Sequence, residues 1–321
     1  MDSERTAFGD QTRARQRAAT YFALLAILKR PAEANEAWDR ISDHGLQLDL
    51  DDIGSLMRAT GRIDLDATAL SAERERVKTG LRQLVADDLL LELGTTGYPH
   101  RIAKTPDAPR FLFVRQGVNV LDLPAVAIVG TREASPEGQA RARKLAQLLA
   151  KREIAVVSGL ARGIDAAAHQ GALDVGGVTI AVIGTPLTRA YPAENSELQK
   201  RIAKFGAVIS QFAPSSKTLP LCFPLRNATM SALSLGTVVI EASETSGALI
   251  QARKALQQGR KLFIPRSAVE DERLRWPRKY AAEGAHVFAT IEDLVSVLDR
   301  EGLLPAFETS PPPIPVGVGA S

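Results

Sequence analysis

The sequence predicts an α/β fold, in which a doubly wound, mostly parallel, Rossmann-like sheet follows a smaller helical N-terminal domain. From Ala125 onward, short apolar runs alternate with stretches of helical periodicity, the order that builds a parallel sheet with helices on its faces. The early runs are apolar at every position, as strands covered on both faces must be. Before residue 100, apolar residues instead recur at spacings of three and four, which indicates packed helices.

The N-terminal region, residues 1–100, contains helical patterns in TYFALLAILKR, ANEAWDRISDHG, DLDDIGSLMRATG and SAERERVKTGLRQLVADD. The stretch that follows, LLLELGTTGYPHRI, predicts a small β-hairpin that turns at residues 94–97. A helix that leads into a hairpin is also typical of a winged-helix DNA-binding module. Two interpretations of this region therefore stay open, a helical packing domain and a winged-helix-like domain.

The second region, residues 101–300, supplies the predicted sheet. Its strand candidates are AVAIVG, IAVVSG, TIAVIG, AVISQF, GTVVIEA, KLFIP and AHVFAT. Helical stretches such as PEGQARARKLAQLLAKR and SGALIQARKALQQGR lie between them, and TIEDLVSVLDR closes the series. Residues 301–321 are rich in Pro and Gly with little to bury, which predicts a disordered tail.

Composition narrows the classes of function. The 321 residues, 45% of them hydrophobic, are enough for one large and one small domain, and the net charge of +3 permits an anionic partner. A single cysteine, Cys222, excludes an internal disulfide framework, and the four histidines have no zinc-site spacing. The apolar run in residues 21–28 is far shorter than the roughly 20 residues of a membrane span. We therefore expect a cytoplasmic protein that uses neither membrane nor metal.

The loops after the strands carry the candidate functional residues. Ligands of open parallel sheets bind at the carboxyl ends of the strands, where small residues let an anion approach the N–H groups of helix N-termini. Arginines in or beside these loops favour a polyanion over a neutral metabolite. The predicted phosphate-binding residues are Gly130, Thr131, Arg132, Ser158, Gly159, Arg162, Gly163, Lys217, Phe223, Arg226, Asn227, Ser246 and Gly247.

Several of these signals also have a structural explanation. Glycines at strand–helix turns serve tight geometry alone, and neither a G-x-G-x-x-G fingerprint nor a P-loop is present. Asp165 and His169 have the spacing of an acid–base pair, but we favour Asp165 as a complement to its helix N-terminus with His169 packed nearby. Ser158 has no evident base, so nucleophilic catalysis is not predicted. Glu241 and Glu244 suit either a ribose hydroxyl or a helix cap.

Taken together, the loops resemble the DNA-processing protein A family, DprA, also called Smf. The matching stretches are VAIVGTREASPEG, VVSGLARGIDAAAHQGAL, TIAVIGTPLTRAYPAEN, FPLRNATMSALS and VVIEASETSGALIQARKALQQGRKLFIP. They occur in the order of the family, and the resemblance spans roughly residues 97–295. SGLARGIDAAAH is the most specific of them.

The resemblance implies an extended Rossmann-like domain that dimerises and binds single-stranded DNA. It further implies help in loading a RecA-type recombinase during DNA uptake, with no catalysis and no cofactor. The DNA contacts it implies are Arg132, Ser158 with Gly159, and the segment from Lys217 to Asn227. Within that segment Phe223 is either a surface for base stacking or a core anchor at the start of a helix.

The chain also departs from the family pattern. Ala228 stands where a second Arg is usual, Pro186 where the turn usually has Gly, and Gln211 where an acid is usual. No winged-helix pattern follows residue 300, so the resemblance is to a divergent member. Phosphate contacts are interchangeable in a way that base contacts are not, so DNA binding is the expected function. A nucleotide-binding sensor that uses the same pocket is the alternative.

Overall fold

A twisted sheet of mostly parallel strands forms the centre of the computed structural model, which describes residues 10–43, 48–62 and 64–304. From residue 305 on, the predicted disordered tail lies outside the described residues. The helices are α1 Gln11–Leu28, α2 Pro31–Asp43, α3 Ile53–Thr60, α4 Ala67–Leu81, α5 His100–Ala103, α6 Pro136–Ala150, α7 Ile164–Asp174, α8 Ser196–Phe205, α9 Cys222–Leu233, α10 Gly247–Gln257, α11 Arg266–Glu270, α12 Trp276–Ala282 and α13 Ile291–Arg300. The strands are β1 Asp88–Glu92, β2 Phe111–Arg115, β3 Ala125–Val129, β4 Ala155–Ser158, β5 Thr179–Val182, β6 Ala207–Ser210, β7 Gly236–Val239, β8 Lys261–Pro265 and β9 His286–Phe288.

The topology of the sheet confirms the predicted fold class. The described strands lie in the order β1-β2-β6-β5-β4-β3-β7-β8-β9, and every pair from β6 to β9 is parallel. The chain moves outward from β3 in one direction through β4 to β6, and then returns to place β7 on the other side of β3. This reversal makes the carboxyl end of β3 the topological switch point, where open α/β sheets bind ligands.

Alternate residues of each strand face different helices. In β3, Ala125 and Ala127 pack towards α9, α10 and α12, whereas Val126 and Ile128 pack towards α6, α7 and α13. Helices α1 to α4 cover the same side as α6, but over β2, β5 and β6. Each parallel strand is thus buried on both faces, which explains its continuous apolar run.

The predicted hairpin at residues 94–97 is wrong in its second strand. β1 pairs antiparallel with β2, from Asp88 opposite Arg115 to Glu92 opposite Phe111. The segment between them forms α5, where Arg101 is buried and donates hydrogen bonds to the carbonyl oxygens of Leu233 and Leu121. A buried guanidinium needs such acceptors, so this segment docks as a helix, and β2, apolar from Phe111 to Val114, takes the place in the sheet.

The N-terminal helices share a core with the sheet. Phe22 of α1 lies with its ring centroid 5.7 Å from that of Phe113 and 6.0 Å from that of Phe111. Trp38 of α2 contacts Phe111 as well, at 5.6 Å. Because β1 and β2 belong to the main sheet, the domain boundary at residue 100 stays a prediction. No helix among the described residues is both long and apolar enough to cross a membrane.

We expect Phe22→Ala to lower the free energy of unfolding of the whole molecule by about 3–5 kcal/mol, because it opens a cavity in the shared core. Trp38 and Trp276 report on the two regions, since both are buried, one in α2 and one in α12. Urea unfolding of Trp38→Phe and Trp276→Phe proteins, each with and without Phe22→Ala, is the measurement. A shift of the Trp38 transition alone would contradict the shared core and support a separate N-terminal unit.

Candidate functional site

A cavity of about 360 Å³ lies at the carboxyl end of β3, between the loop that follows this strand and the N-termini of α9 and α10. It occupies the switch point of the sheet, the position expected for a ligand. Eight of the thirteen predicted residues line it: Gly130, Thr131, Arg132, Phe223, Arg226, Asn227, Ser246 and Gly247. Three connections of the fold, those after β3, β6 and β7, therefore converge on one site.

Arg132 and Phe223 form the accessible rim of this cavity. The guanidinium carbon of Arg132 lies 5.6 Å from the centroid of the Phe223 ring, and the centroid of the Tyr191 ring also lies 5.6 Å from it. Phe223 is half-buried, and it packs so closely on Gly184 that a Cβ at residue 184 would lie 2.8 Å from the ring. Arg132 is exposed. The rim thus combines a cation with the face of an aromatic pair.

The structure does not bring the Ser158–Gly159 turn to the cavity wall. Ser158 is fully buried, and its hydroxyl donates to the carbonyl oxygen of Ile128 at 2.7 Å. The N–H groups of Gly159 and Ala161 donate to one carboxylate oxygen of Asp165, at 3.2 and 3.3 Å. This turn therefore binds a carboxylate of the chain itself where the sequence predicted a phosphate.

Arg226 is buried, and its guanidinium holds the Ser158–Gly159 turn in place through hydrogen bonds; we call this arrangement the brace. Its Nη1 donates to the carbonyl oxygens of Gly159 and, at 2.7 Å, of Val182, while Nε donates to Asn227 Oδ1 at 3.0 Å. Burial lowers the pKa of the guanidinium, and the nearby Asp165 carboxylate opposes this shift. A Cβ at residue 159 would overlap Nη1, so the glycine there is required by the brace.

Asp165 and His169 serve the structure of the turn. Burial raises the pKa of Asp165, and the opposing influences are the charge of Arg226 and the N–H groups that the carboxylate accepts. His169 is fully buried, with Nδ1 2.7 Å from Thr179 Oγ1, and Nε2 has no hydrogen-bond partner among the described residues. Burial, together with the charge of Arg226, lowers the pKa of His169 to about 3. The imidazole is therefore neutral at physiological pH.

The remaining predicted residues lie outside the cavity wall. Arg162 is exposed and forms a two-point ion pair with Glu194, at 2.8 and 2.6 Å. Gly163 starts α7 with a φ of 72°, and a Cβ there would lie 2.5 Å from the carbonyl oxygen of Thr131. Lys217 is exposed on the loop between β6 and α9. The structure thus separates this group from the residues that can meet a ligand in the cavity.

Sequence reasoning missed several lining residues, and it left the acids after β7 with two interpretations. Glu133, Ala161, Pro224, Met230, Ser243, Ala248, Ile250 and Gln251 also line the cavity. Glu241 accepts hydrogen bonds from the backbone N–H and the hydroxyl of Ser135 at the start of α6, and Glu244 accepts from the N–H groups of Arg275 and Trp276 at the start of α12. Glu244 thus caps the start of α12, whereas Glu241 holds Ser135, the residue that caps α6, and neither acid caps the helix that follows it. In the described residues, no cluster of three or more His, Cys, Asp or Glu is arranged to hold a metal.

We expect the stability of the protein to fall with acid partly through His169. Its folded pKa of about 3 lies below the ordinary value of 6.5, so the unfolded chain binds the proton first as the pH falls. The contribution of the neutral imidazole is complete above pH 6.5 and is lost towards pH 3, by up to about 1.4 kcal/mol per pH unit. Urea unfolding of wild type and His169→Gln at several pH values should show a less steep acid dependence in the variant. Parallel curves would mean that His169 does not titrate on unfolding.

Comparison with known proteins identifies the family. Residues 90–299 match the family model described as DNA recombination-mediator protein A. DNA processing protein DprA of Streptococcus pneumoniae is 38% identical over 199 residues, which cover 62% of this chain and 70% of that protein. Protein Smf of Escherichia coli is 36% identical over 202 residues, 63% of this chain and 54% of that protein.

Solved structures agree with this assignment. The crystal structure of DprA from Streptococcus pneumoniae matches with a TM-score of 0.71 and 30% identity, over 86% of this chain and 97% of that one. DNA processing protein A of Helicobacter pylori, whose structure is described for its single-stranded DNA binding mode, matches with a TM-score of 0.59 and 27% identity, over 67% and 96% of the two chains. The chain belongs to the DNA recombination-mediator protein A family, also known as DprA or Smf.

Proposed function

We propose that this protein binds single-stranded DNA across the carboxyl end of β3, with Arg132 on the phosphate backbone and Phe223 against a base. The pairing of Arg132 with Phe223 at the rim of the cavity carries this proposal. Single-stranded DNA offers a phosphate and an unpaired base within one nucleotide, and sites for it combine cationic and aromatic side chains. The Helicobacter pylori relative, described for its single-stranded DNA binding mode, supports the same ligand.

Arg132 is suited to a phosphate because it is exposed and has no acidic partner within ion-pair distance among the described residues. The N-terminus of α10 opens on the same cavity at Gly247, where a Cβ would meet no atom within 4 Å. This eleven-residue helix directs the positive end of its dipole to the cavity, which favours an anion. Arg162 is less suited, because a phosphate there would have to displace Glu194.

Unpaired bases are favoured over duplex DNA by the apolar surroundings of the rim. Phe223 and Tyr191 offer ring faces that bases reach only when they are unstacked and unpaired. Tyr191, Leu219, Leu221 and Leu225 are among the large apolar side chains that are most exposed in the described part of the chain, at 41–59%. Three of them flank Phe223 in the sequence. The bases of a duplex are stacked on one another and paired, so a duplex could not place them against these apolar side chains.

We propose binding and not catalysis. The acid–histidine pair at the cavity, Asp165 with His169, is occupied in structural contacts, since Asp165 holds the turn at Gly159 and His169 is buried with a lowered pKa. Membership of the family supports a role in recombination. We further propose that the protein acts in the cytoplasm as a homodimer, that it assists DNA uptake, and that a RecA-type recombinase is its partner.

We expect Arg132→Ala and Phe223→Ala to weaken DNA binding in different ways. Loss of one phosphate contact should reduce the salt dependence of the affinity for a single strand by about 0.7 log units per tenfold salt. Loss of one stacked base should instead cost about 1–3 kcal/mol with no change of slope. Fluorescence anisotropy of a labelled oligo-dT over a range of salt concentrations separates the two effects.

Arg201→Ala is the matched control, because Arg201 is also exposed but lies on α8. It should leave both affinity and slope near those of the wild type. Equal slopes for the wild type and Arg132→Ala would place the phosphate elsewhere. Failure of the wild type to bind oligo-dT at low salt, with a thermal shift on addition of nucleotides, would replace DNA by a nucleotide as the ligand.

A further inference from the structure

The loop between β6 and α9, residues 211–221, connects the sheet to the helix that carries Phe223. We call it the 211–221 loop. It exposes Lys217, Leu219 and Leu221, which lie within six residues of Phe223 in the sequence. A segment of this kind loses conformational freedom when it orders around a ligand, and that loss subtracts from affinity. Contacts that order the loop in the absence of DNA therefore increase the affinity for DNA.

A helix of the N-terminal region contacts this loop directly. Arg76 of α4 donates from Nη1 to the carbonyl oxygen of Ser215 at 2.7 Å. One turn further along α4, Gly80 lies so close to Ser215 that a Cβ at residue 80 would be 2.8 Å from its backbone nitrogen and 2.9 Å from its Cβ. Arg76 and Gly80, on one face of the helix, thus both contact Ser215. We call these two contacts the seating of the loop.

The helix is a rigid support for these contacts. Val77 and Leu81 of α4 are buried in the core that α1 and β2 share, and Arg74 is buried and donates to the carbonyl oxygen of Leu50. On the loop side, the guanidinium of Arg76 is fixed by Glu73, whose two carboxylate oxygens each lie 2.9 Å from Nε. The donor that meets Ser215 is therefore held before the loop is engaged.

A second anchor follows three residues along the loop. Thr218 Oγ1 accepts a hydrogen bond from Arg189 Nη1 at 2.8 Å, and the N–H of Leu219 lies 3.4 Å from the sulfur of Cys222 at the start of α9. Arg189 belongs to the same connection as Tyr191, which packs on Phe223. Lys217 lies between the two anchors, at Ser215 and Thr218, so its backbone position is set from both sides.

We propose that α4 is a positioning element for the DNA site, in which Arg76 and Gly80 hold the 211–221 loop in its binding conformation. The N-terminal helices would then raise the affinity for single-stranded DNA without touching it. The proposal rests on the proposed function for its DNA component, whereas the seating of the loop is independent of any ligand.

The test compares Arg76→Ala, Arg76→Lys and Gly80→Ala with Arg82→Ala, a change of the exposed arginine that directly follows α4. Gly80→Ala is informative because alanine is the better helix former, so it favours α4 while its Cβ pushes Ser215 away. Two readouts are needed: the rate of trypsin cleavage after Lys217 without DNA, and the affinity for labelled oligo-dT.

We expect Arg76→Ala and Gly80→Ala to speed cleavage after Lys217 and to weaken binding about three- to tenfold, the loss of an ordered loop, and Arg76→Ala to keep thermal stability near that of the wild type. Arg76→Lys should restore part of both, and Arg82→Ala should alter neither. Unchanged cleavage in both variants would overturn the seating of the loop. Faster cleavage with wild-type affinity would overturn its role in DNA binding. Failure of the wild type itself to bind oligo-dT would instead refute the proposed function, and the cleavage rates would still decide the seating.

Discussion

The buried guanidinium of Arg226 is the interaction on which the architecture of the site depends. It joins the carbonyl oxygens of Gly159 and Val182, at the carboxyl ends of two neighbouring strands, to the first turns of α9. A buried charged donor is tolerated only where acceptors surround it, so strand ends and helix are fixed relative to one another. Phe223 lies on the same helix, three residues earlier. Its ring therefore reaches the rim at a position that the brace determines.

This constraint explains why small residues cluster at the strand ends. Gly159 leaves room for the guanidinium, Gly184 leaves room for the Phe223 ring, and Gly163 supplies a left-handed turn beside the carbonyl oxygen of Thr131. A cradle for phosphate would require the same residue type, because a ligand and a neighbouring side chain exclude a Cβ equally. The pattern of glycines therefore predicts where the site lies. It does not predict whether a ligand or a side chain of the protein occupies the room beside each glycine.

The sequence was sufficient for the parallel part of the fold and less so for its edge. Runs such as AVAIV and AVVS predict buried strands, because a strand that is covered on both faces is apolar on both. The pairing of β1 with β2 was not predictable in this way. It depends on partners distant in sequence, among them Asp88, which accepts two hydrogen bonds from Arg115 at 2.7 and 2.8 Å. In the site, the motifs predicted the loops after β3, β6 and β7 that line the cavity, but not that the side chains of Ser158 and Arg226 are bound to carbonyl oxygens inside the protein.

Arginines of the crevice loops illustrate why residue type alone does not assign a contact. Arg226 is committed to carbonyl oxygens inside the protein, Arg162 to the carboxylate of Glu194, and Arg132 lies over an aromatic ring. A phosphate gains most where it displaces no existing partner, since breaking an ion pair offsets part of the new attraction. By this criterion the phosphate contact that we propose falls to Arg132 and the N-terminus of α10. In the same proposal, the buried arginine contributes by keeping Phe223 where a base would stack beside that phosphate.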